Sequence, residues 1–504
     1  MTALCKIAAP LLVVSMLCLS ACSKAPDGKD EILANLYERR ALEFEPCERA
    51  STTQAASLVS ESRCMIFERP ENPDLADGRQ IPLQVMVIPS LQSNPVLDPL
   101  VILAGGPGQA ATELANLGLI FNKIRQARDI LLLDQRGTGK LSPMRCAEEP
   151  EKLTDLSTRN LLKLQTETLD TCLSKMEADP RFYTTDIAIQ DLEALRIYLG
   201  YKQLNLWGGS YGTRVALVFL KAYPKSVRTI ILDGVAPAAI TLPLHIERDA
   251  SRALEKVFEA CDAEPSCSNH YPNLRMHFDD LSARFEKPQI ISVTDPVTGQ
   301  KLTLSADIDW LHAALRSPLY GRMTQRLMPF IIEQACAGHY APLLSVSALD
   351  GGINSAMFLS VICSEDVARI SQANFDQAQA QPYILKSRQL NIPIIEACKT
   401  WPSRALPASY FEPVVSEKPV LVFSGASDPV TPPSWGDSIL PGLANAQHFV
   451  VEGFAHNTLG TRCTVGMITD FVDTANFSAL DSSCLSNIKR RPFFIGTGGS
   501  QRHD

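Results

Sequence analysis

The segment Gly208-Gly209-Ser210-Tyr211-Gly212 sets one hydroxyl between glycines, directly after the apolar stretch Leu204-Asn205-Leu206-Trp207 and directly before the helix-like run Thr213–Leu220. A G-x-S-x-G pattern between strand and helix forces a sharp reversal, which strains the serine backbone and exposes its hydroxyl. A serine hydroxyl alone is a poor nucleophile. Acyl transfer through Ser210 therefore requires a base, a carboxylate to orient that base, and donors for the oxyanion. Upstream, the buried-strand pattern Pro99–Ala104 runs into Gly105-Gly106-Pro107-Gly108-Gln109, whose small residues leave backbone N–H groups accessible. One oxyanion donor would be the Tyr211 N–H and the other that of Gly105 or Gly106, each contributing about 3–4 kcal/mol to lowering the barrier. Downstream, the strand-like Pro419–Gly425 ends in Ala426-Ser427-Asp428-Pro429, and the last strand pattern, His448–Gly453, is followed directly by Phe454-Ala455-His456. Asp428 is the candidate acid and His456 the candidate base; Asp233, after Ile230-Ile231-Leu232, is the rival acid.

The order Ser210, Asp428, His456 is the nucleophile, acid, base order of an α/β-hydrolase, with all three on loops at one edge of a parallel sheet. The motifs Ala104–Gly108, Asp134-Gln135-Arg136-Gly137-Thr138-Gly139, Gly208–Gly212 and Gly425–Pro432 together resemble the prolyl and tripeptidyl aminopeptidase family of serine peptidases. Many members carry histidine where this chain has Ala104, which moves the resemblance toward the secreted tripeptidyl-type branch. It implies peptide substrates with a free N-terminus, an acyl fragment of one or three residues, and the triad Ser210, Asp428 and His456. In the family a cap carboxylate near a cysteine pairs with the substrate α-amino group; Val361–Asp366 and Cys398–Pro402 match such segments, which assigns that role to Glu365. Asp134 and Arg136 are expected to be structural support for their loop. An esterase would use the same triad, and a non-catalytic scaffold is the third reading. An elbow aspartate, the nucleophile of dehalogenases and epoxide hydrolases, is replaced here by Ser210.

Lys6, the apolar run Ile7–Leu19 and then Leu19-Ser20-Ala21-Cys22 resemble a bacterial lipoprotein signal; the alternative is an ordinary secretory signal. Cleavage before Cys22 would leave it acylated, and dual acylation suffices for stable anchoring in a bilayer. Ser23 in the next position suggests, by the same resemblance, the outer membrane facing the periplasm. Export permits disulfides. With Cys5, Cys18 and Cys22 of the signal set aside, eleven of the fourteen cysteines remain; short separations favour Cys47 with Cys64, Cys261 with Cys267 and Cys463 with Cys484, then Cys146 with Cys172 and Cys363 with Cys398, leaving Cys336. The competing use, metal binding, lacks a C-x-x-C pair or a histidine cluster, so neither metal nor cofactor is expected.

At 504 residues with 45% hydrophobic content, the chain can bury a large core plus a second unit. Its net charge of -8 argues against nucleic acid as a partner. The expected organisation is a signal over 1–21, a polar lead-in over 22–80, and the first part of an α/β-hydrolase core over 81–240. An inserted helical cap over 241–410, the rest of the core over 411–484 and a loose basic tail over 485–504 complete it. The core alternates strands with helix-like segments such as Ala188–Tyr198, which implies a mostly parallel sheet covered on both faces.

Overall fold

The structure is a computed structural model that describes residues 44–47, 61–142, 144, 158–294, 299–347, 352–386 and 388–496. Cys22, the signal segment and Cys146 lie outside the described residues.

Nine strands form one sheet in the order β1-β2-β3-β5-β4-β6-β7-β10-β11. They are β1 (Glu45–Pro46), β2 (Arg63–Pro70), β3 (Gln80–Ile88), β4 (Val96–Leu103), β5 (Arg128–Leu133), β6 (Leu204–Gly209), β7 (Val227–Asp233), β10 (Val420–Gly425) and β11 (Ala446–Val451). From β5 to β11 all neighbours are parallel, whereas β1, β2 and β3 join antiparallel. The supposed lead-in thus builds part of the sheet. Strand β2 reads as polar in sequence because it lies near an edge and its buried Met65 and Phe67 are set among exposed Arg63, Ile66 and Glu68.

The central strands are apolar on both faces, as a covered parallel sheet requires. Val85, Val101, Leu131, Leu206, Ile230 and Val422 point into one core with the helices α1 (Thr185–Tyr198) and α2 (Tyr211–Ala222). Their alternates Met86, Ile102, Leu132, Ile231, Leu421 and Phe423 face the opposite core. There they meet Phe121, Ile124 and, from the last long helix, Ile468 and Phe471.

Between β7 and β10 the chain makes the helices α3 (Ile246–Asp262), α4 (Leu274–Phe285), α5 (Ile308–Arg316), α6 (Met328–Cys336), α7 (Ser355–Glu365) and α8 (Arg388–Thr400), with α9 (Arg462–Thr474) following β11. Helices α3 to α6 share a separate core that includes Phe278, Phe285, Trp310 and Ile331. The insertion is not wholly helical: β8 (Gln289–Thr294) and β9 (Lys301–Ala306) pair as an antiparallel ribbon. The alternation in Gln289-Ile290-Ile291-Ser292-Val293-Thr294, ahead of Asp295-Pro296 and Gly299, is a hairpin signal that the helical reading passed over.

The tail is docked as far as 496. Phe493 is buried in the cap core, the Tyr271 hydroxyl donates to the Phe494 carbonyl, and the Phe494 N–H donates to the Arg326 carbonyl. Four disulfides agree with the cysteine spacings: Cys47–Cys64, Cys261–Cys267, Cys363–Cys398 and Cys463–Cys484; Cys336 is free.

Candidate active site

The chain reverses direction across the sheet between β4 and β6, neighbours whose crossovers leave on opposite faces, so a crevice opens at their carboxyl ends. Leu103 of β4 lies beside Gly208 of β6, which brings the loop after β4 against the loop after β6. Ser210 sits at that point with φ 55° and ψ -123°, a region few non-glycine residues occupy. The strain persists because the surroundings fix it. The Ser210 N–H donates to the Asp233 carbonyl at 3.0 Å, and its carbonyl accepts from the Thr213 N–H at 2.9 Å and the Thr213 hydroxyl at 2.6 Å. The glycines allow the close approach. A Cβ on Gly212 would lie 2.2 Å from the Leu103 carbonyl oxygen, and one on Gly208 would lie 2.4 Å from that of Gly212.

Tyr211 begins α2, so its N–H is among the helix donors that have no intrahelical partner. Gly105 abuts the nucleophile: a Cβ built there would touch the Ser210 Cβ at 3.4 Å. The Gly105 N–H reaches only a long bond of 3.4 Å to the Gln109 side chain.

Asp428 and His456 follow β10 and β11, adjacent parallel strands. The His456 Nδ1 lies 2.9 Å from Asp428 Oδ2 and 3.1 Å from the Thr431 hydroxyl. Asp428 is fully buried and further held by the N–H groups of Val430 and Thr431, each at 2.8 Å, and by the Thr431 hydroxyl at 2.9 Å. Thr431 was not anticipated, although its place three residues after an acid in a turn was a usable signal. The cap also touches the histidine. The Tyr320 carbonyl accepts the backbone N–H of His456 at 3.0 Å, and the Tyr320 ring meets the imidazole edge-on at 5.6 Å.

The rival Asp233 takes a different position. Both its carboxylate oxygens accept the Thr458 N–H, at 2.8 and 2.9 Å, and its carbonyl accepts the Asn457 side-chain amide at 2.7 Å. It ties the Ser210 elbow to the His456 loop, while the imidazole faces Asp428. Burial pushes the Asp233 carboxyl up to about 6 against the pull of the Thr458 bonds.

Burial also pushes the Asp428 carboxyl up, but the charge and hydrogen bond of His456 and the Thr431 and Val430 N–H groups together bring it below its ordinary value of 3.8. For His456 burial acts downward, and the Asp428 carboxylate outweighs it and raises the imidazole above 6.5. The signs give opposed windows. The Asp428 contribution to stability is complete above 3.8 and fades as pH falls through its depressed folded value. The His456 contribution is complete below 6.5 and fades as pH climbs through its raised folded value. A general base must be neutral, so the acid limb of kcat/KM should lie above pH 6.5 and move to lower pH in Asp428→Asn. A limb at or below pH 6.5 in the unaltered protein, measured on an uncharged substrate, contradicts this electrostatic account.

Asp134 and Arg136 are structural, as expected. Asp134 accepts the Thr112 N–H and hydroxyl at 2.8 and 2.9 Å, and buried Arg136 clasps Asp191 with two bonds of 2.7 and 2.9 Å.

Glu365 is not placed as an open acceptor for a substrate amine. It is fully buried at the end of α7, and its oxygens are taken by the Thr185 N–H at 2.7 Å, the Thr185 hydroxyl at 3.0 Å, Arg214 Nη1 at 3.2 Å and the Tyr410 hydroxyl at 2.6 Å. Four donors occupy the directions from which a carboxylate accepts. The same cluster supports Tyr211, whose hydroxyl meets those of Thr185 at 2.6 Å and the Gln135 amide at 2.9 Å. Among the described residues no group of three or more histidine, cysteine or acidic side chains could hold a metal ion.

Among curated relatives, the Streptomyces lividans protein named tripeptidyl aminopeptidase is 23% identical over 78% of both chains. The Mycobacterium tuberculosis protein named serine protease Hip1 is 28% identical over 49% of each, and the Escherichia coli putative hydrolase YuaR is 31% identical over 27% of this chain. The chain spans 28% of the length of YuaR and 49% of that of Hip1. A strained serine at a strand-to-helix turn, a loop of glycines beside it and, from the loops after β10 and β11, a buried aspartate bonded to a histidine stand at one sheet edge. Residues 98–462 match the model of the alpha/beta hydrolase fold family, and the chain belongs to that family.

Proposed function

We propose that this protein is a serine exopeptidase that cleaves peptides from a free N-terminus. The observation that carries the hydrolase chemistry is the 2.9 Å contact of His456 Nδ1 with buried Asp428, at the sheet edge where Ser210 is held strained. His456 takes the Ser210 proton as the hydroxyl attacks the scissile carbonyl, and Asp428 fixes the tautomer and stabilises the imidazolium. The N–H of Tyr211 and one from Gly105-Gly106 receive the oxyanion. His456 then protonates the leaving amine, and water attacks the acyl-enzyme by the same route. The relatives named tripeptidyl aminopeptidase, proline iminopeptidase and serine protease support the peptidase reading. Acylated Cys22 would hold the protein at the outer membrane, facing the periplasm.

A carboxylesterase is the second reading, favoured by the closed surroundings of Glu365, which leave that carboxylate no room for an ammonium group. Three substrates separate the two: a tripeptidyl nitroanilide, its N-acetylated form and a nitrophenyl ester. The exopeptidase should prefer the free amine roughly a hundredfold over the acetylated peptide, in keeping with about 1.5–3 kcal/mol for a hydrogen bond to a charged group. Indifference to acetylation, with the ester as best substrate, makes the protein an esterase.

A further inference from the structure

Behind the Asp428 loop the surface dips into a solvent-open recess, about 370 Å³ with the open solvent at its mouth included, whose lining includes Lys256 from α3, Arg322 and Arg326 from the cap, Arg490 and Arg491 from the tail, and Ser427. Five cations converge there from three separated stretches of sequence. Glu264 pairs with Arg490 and also lies within charge range of Arg326, while Glu259 and Glu452 act on Lys256. The tail segment is held among these arginines by Glu264, which pairs with Arg490 and accepts the Phe493 N–H at 3.0 Å. The Arg326 Nε donates to the Pro492 carbonyl at 2.6 Å, and Phe493 beside it is buried.

The guanidinium of Arg322 stacks over the Phe454 ring at 4.3 Å, and its buried Nε has no hydrogen-bond partner among the described residues. A buried, unanswered donor on a cation is costly unless an anion completes it. Burial first, then the charges of Arg491 and Arg326, hold Arg322 below the ordinary guanidinium value, and Arg326 is lowered in the same way by burial, Arg491 and Arg490.

We propose that this recess binds a phosphate group, held by Arg322, Arg326 and Arg491 with Lys256 behind them. Several guanidinium forks around one cavity offer more donors than a carboxylate can accept and suit the three exposed oxygens of a phosphate. The site is distinct from Ser210. It is joined to the acid loop through Ser427, whose hydroxyl donates to the Gln325 side-chain oxygen at 2.9 Å, and through Lys256, which donates to the Ala426 carbonyl at 2.7 Å.

The test is calorimetric titration of the full chain at fixed ionic strength with inorganic phosphate, glycerol phosphate and acetate as probes. Saturable one-to-one binding of phosphate is expected, weakened about tenfold in Arg491→Gln, as loss of one charge-assisted contact implies. Arg491 is exposed, so this variant should fold; Arg322→Gln, compared by the same titration, should weaken binding at least as much. Tighter binding of glycerol phosphate would identify the ligand as a phosphomonoester, and tighter inorganic phosphate as the free ion. No saturable heat, an acetate affinity equal to that of phosphate, or unchanged affinity in both variants would overturn the proposal.

Discussion

Ser210→Ala should lower kcat roughly 10⁵-fold and abolish labelling by a fluorophosphonate probe, while leaving the folded protein about as stable as before. The size of the loss follows from the site's division of labour. Without the hydroxyl no acyl-enzyme forms, and only the oxyanion donors and substrate binding remain to assist attack by water. Stability changes little because alanine inherits the φ of 55° and its strain. Ser210→Gly should instead raise stability by about 1 kcal/mol, since glycine occupies that region freely. Asp428→Asn should cost about 10⁴-fold in kcat with the protein still folded, because the imidazole then loses its orienting carboxylate. Labelling of Ser210→Ala at the rate of the unaltered protein places the reactive nucleophile elsewhere.

The serine elbow was legible because its signal is local: strand, two glycines, serine and helix lie within a few residues, and the backbone has one way to join them. Asp428 and His456 were legible for a related reason, each falling just beyond an apolar run long enough for a strand. What escaped the sequence depended on partners. Strand β2 alternates with exposed charges and reads as polar until β3 is seen beside it. The tail reads as loose because Lys489, Arg490 and Arg491 and the glycines after them stand around the short apolar run Phe493-Phe494-Ile495, yet Phe493 is fully enclosed by the cap. The sequence places Glu365 in the cap near Cys363 and suggests an amine-binding role, but what such a carboxylate can bind depends on what fills the space around it. That space is filled by Arg214, a cation inside the otherwise apolar face of α2, whose need for a counter-charge was itself visible in Thr213-Arg214-Val215-Ala216.

Arg214→Met should destabilise the protein by about 3–5 kcal/mol, the usual consequence of removing one partner from a buried ion cluster. Arg214 lies within 3.2 Å of both Glu365 and Asp366, and all three side chains are buried. Burial already pushes the Asp366 carboxyl up to about 6, with Arg214 pulling it down and Glu365 pushing it further up, so loss of the guanidinium would leave two adjacent carboxylates in a dry site. The cluster also joins the cap to the nucleophile. Helix α7 starts beside the glycine loop, where the Asn354 N–H donates to the Gly108 carbonyl at 3.0 Å, and ends at Glu365, which holds Thr185 beneath the Tyr211 hydroxyl. Loosening its far end should therefore disturb the oxyanion donors of Tyr211 and the glycine loop together. The milder Glu365→Gln keeps an acceptor for Thr185 and Tyr410, should fold, and should lower kcat for a nitroanilide and an ester by the same factor. A rise in KM confined to peptides with a free amine, with the ester untouched, would instead mean that Thr185 and Tyr410 yield Glu365 to the substrate, and the supporting role assigned to the cluster would be wrong.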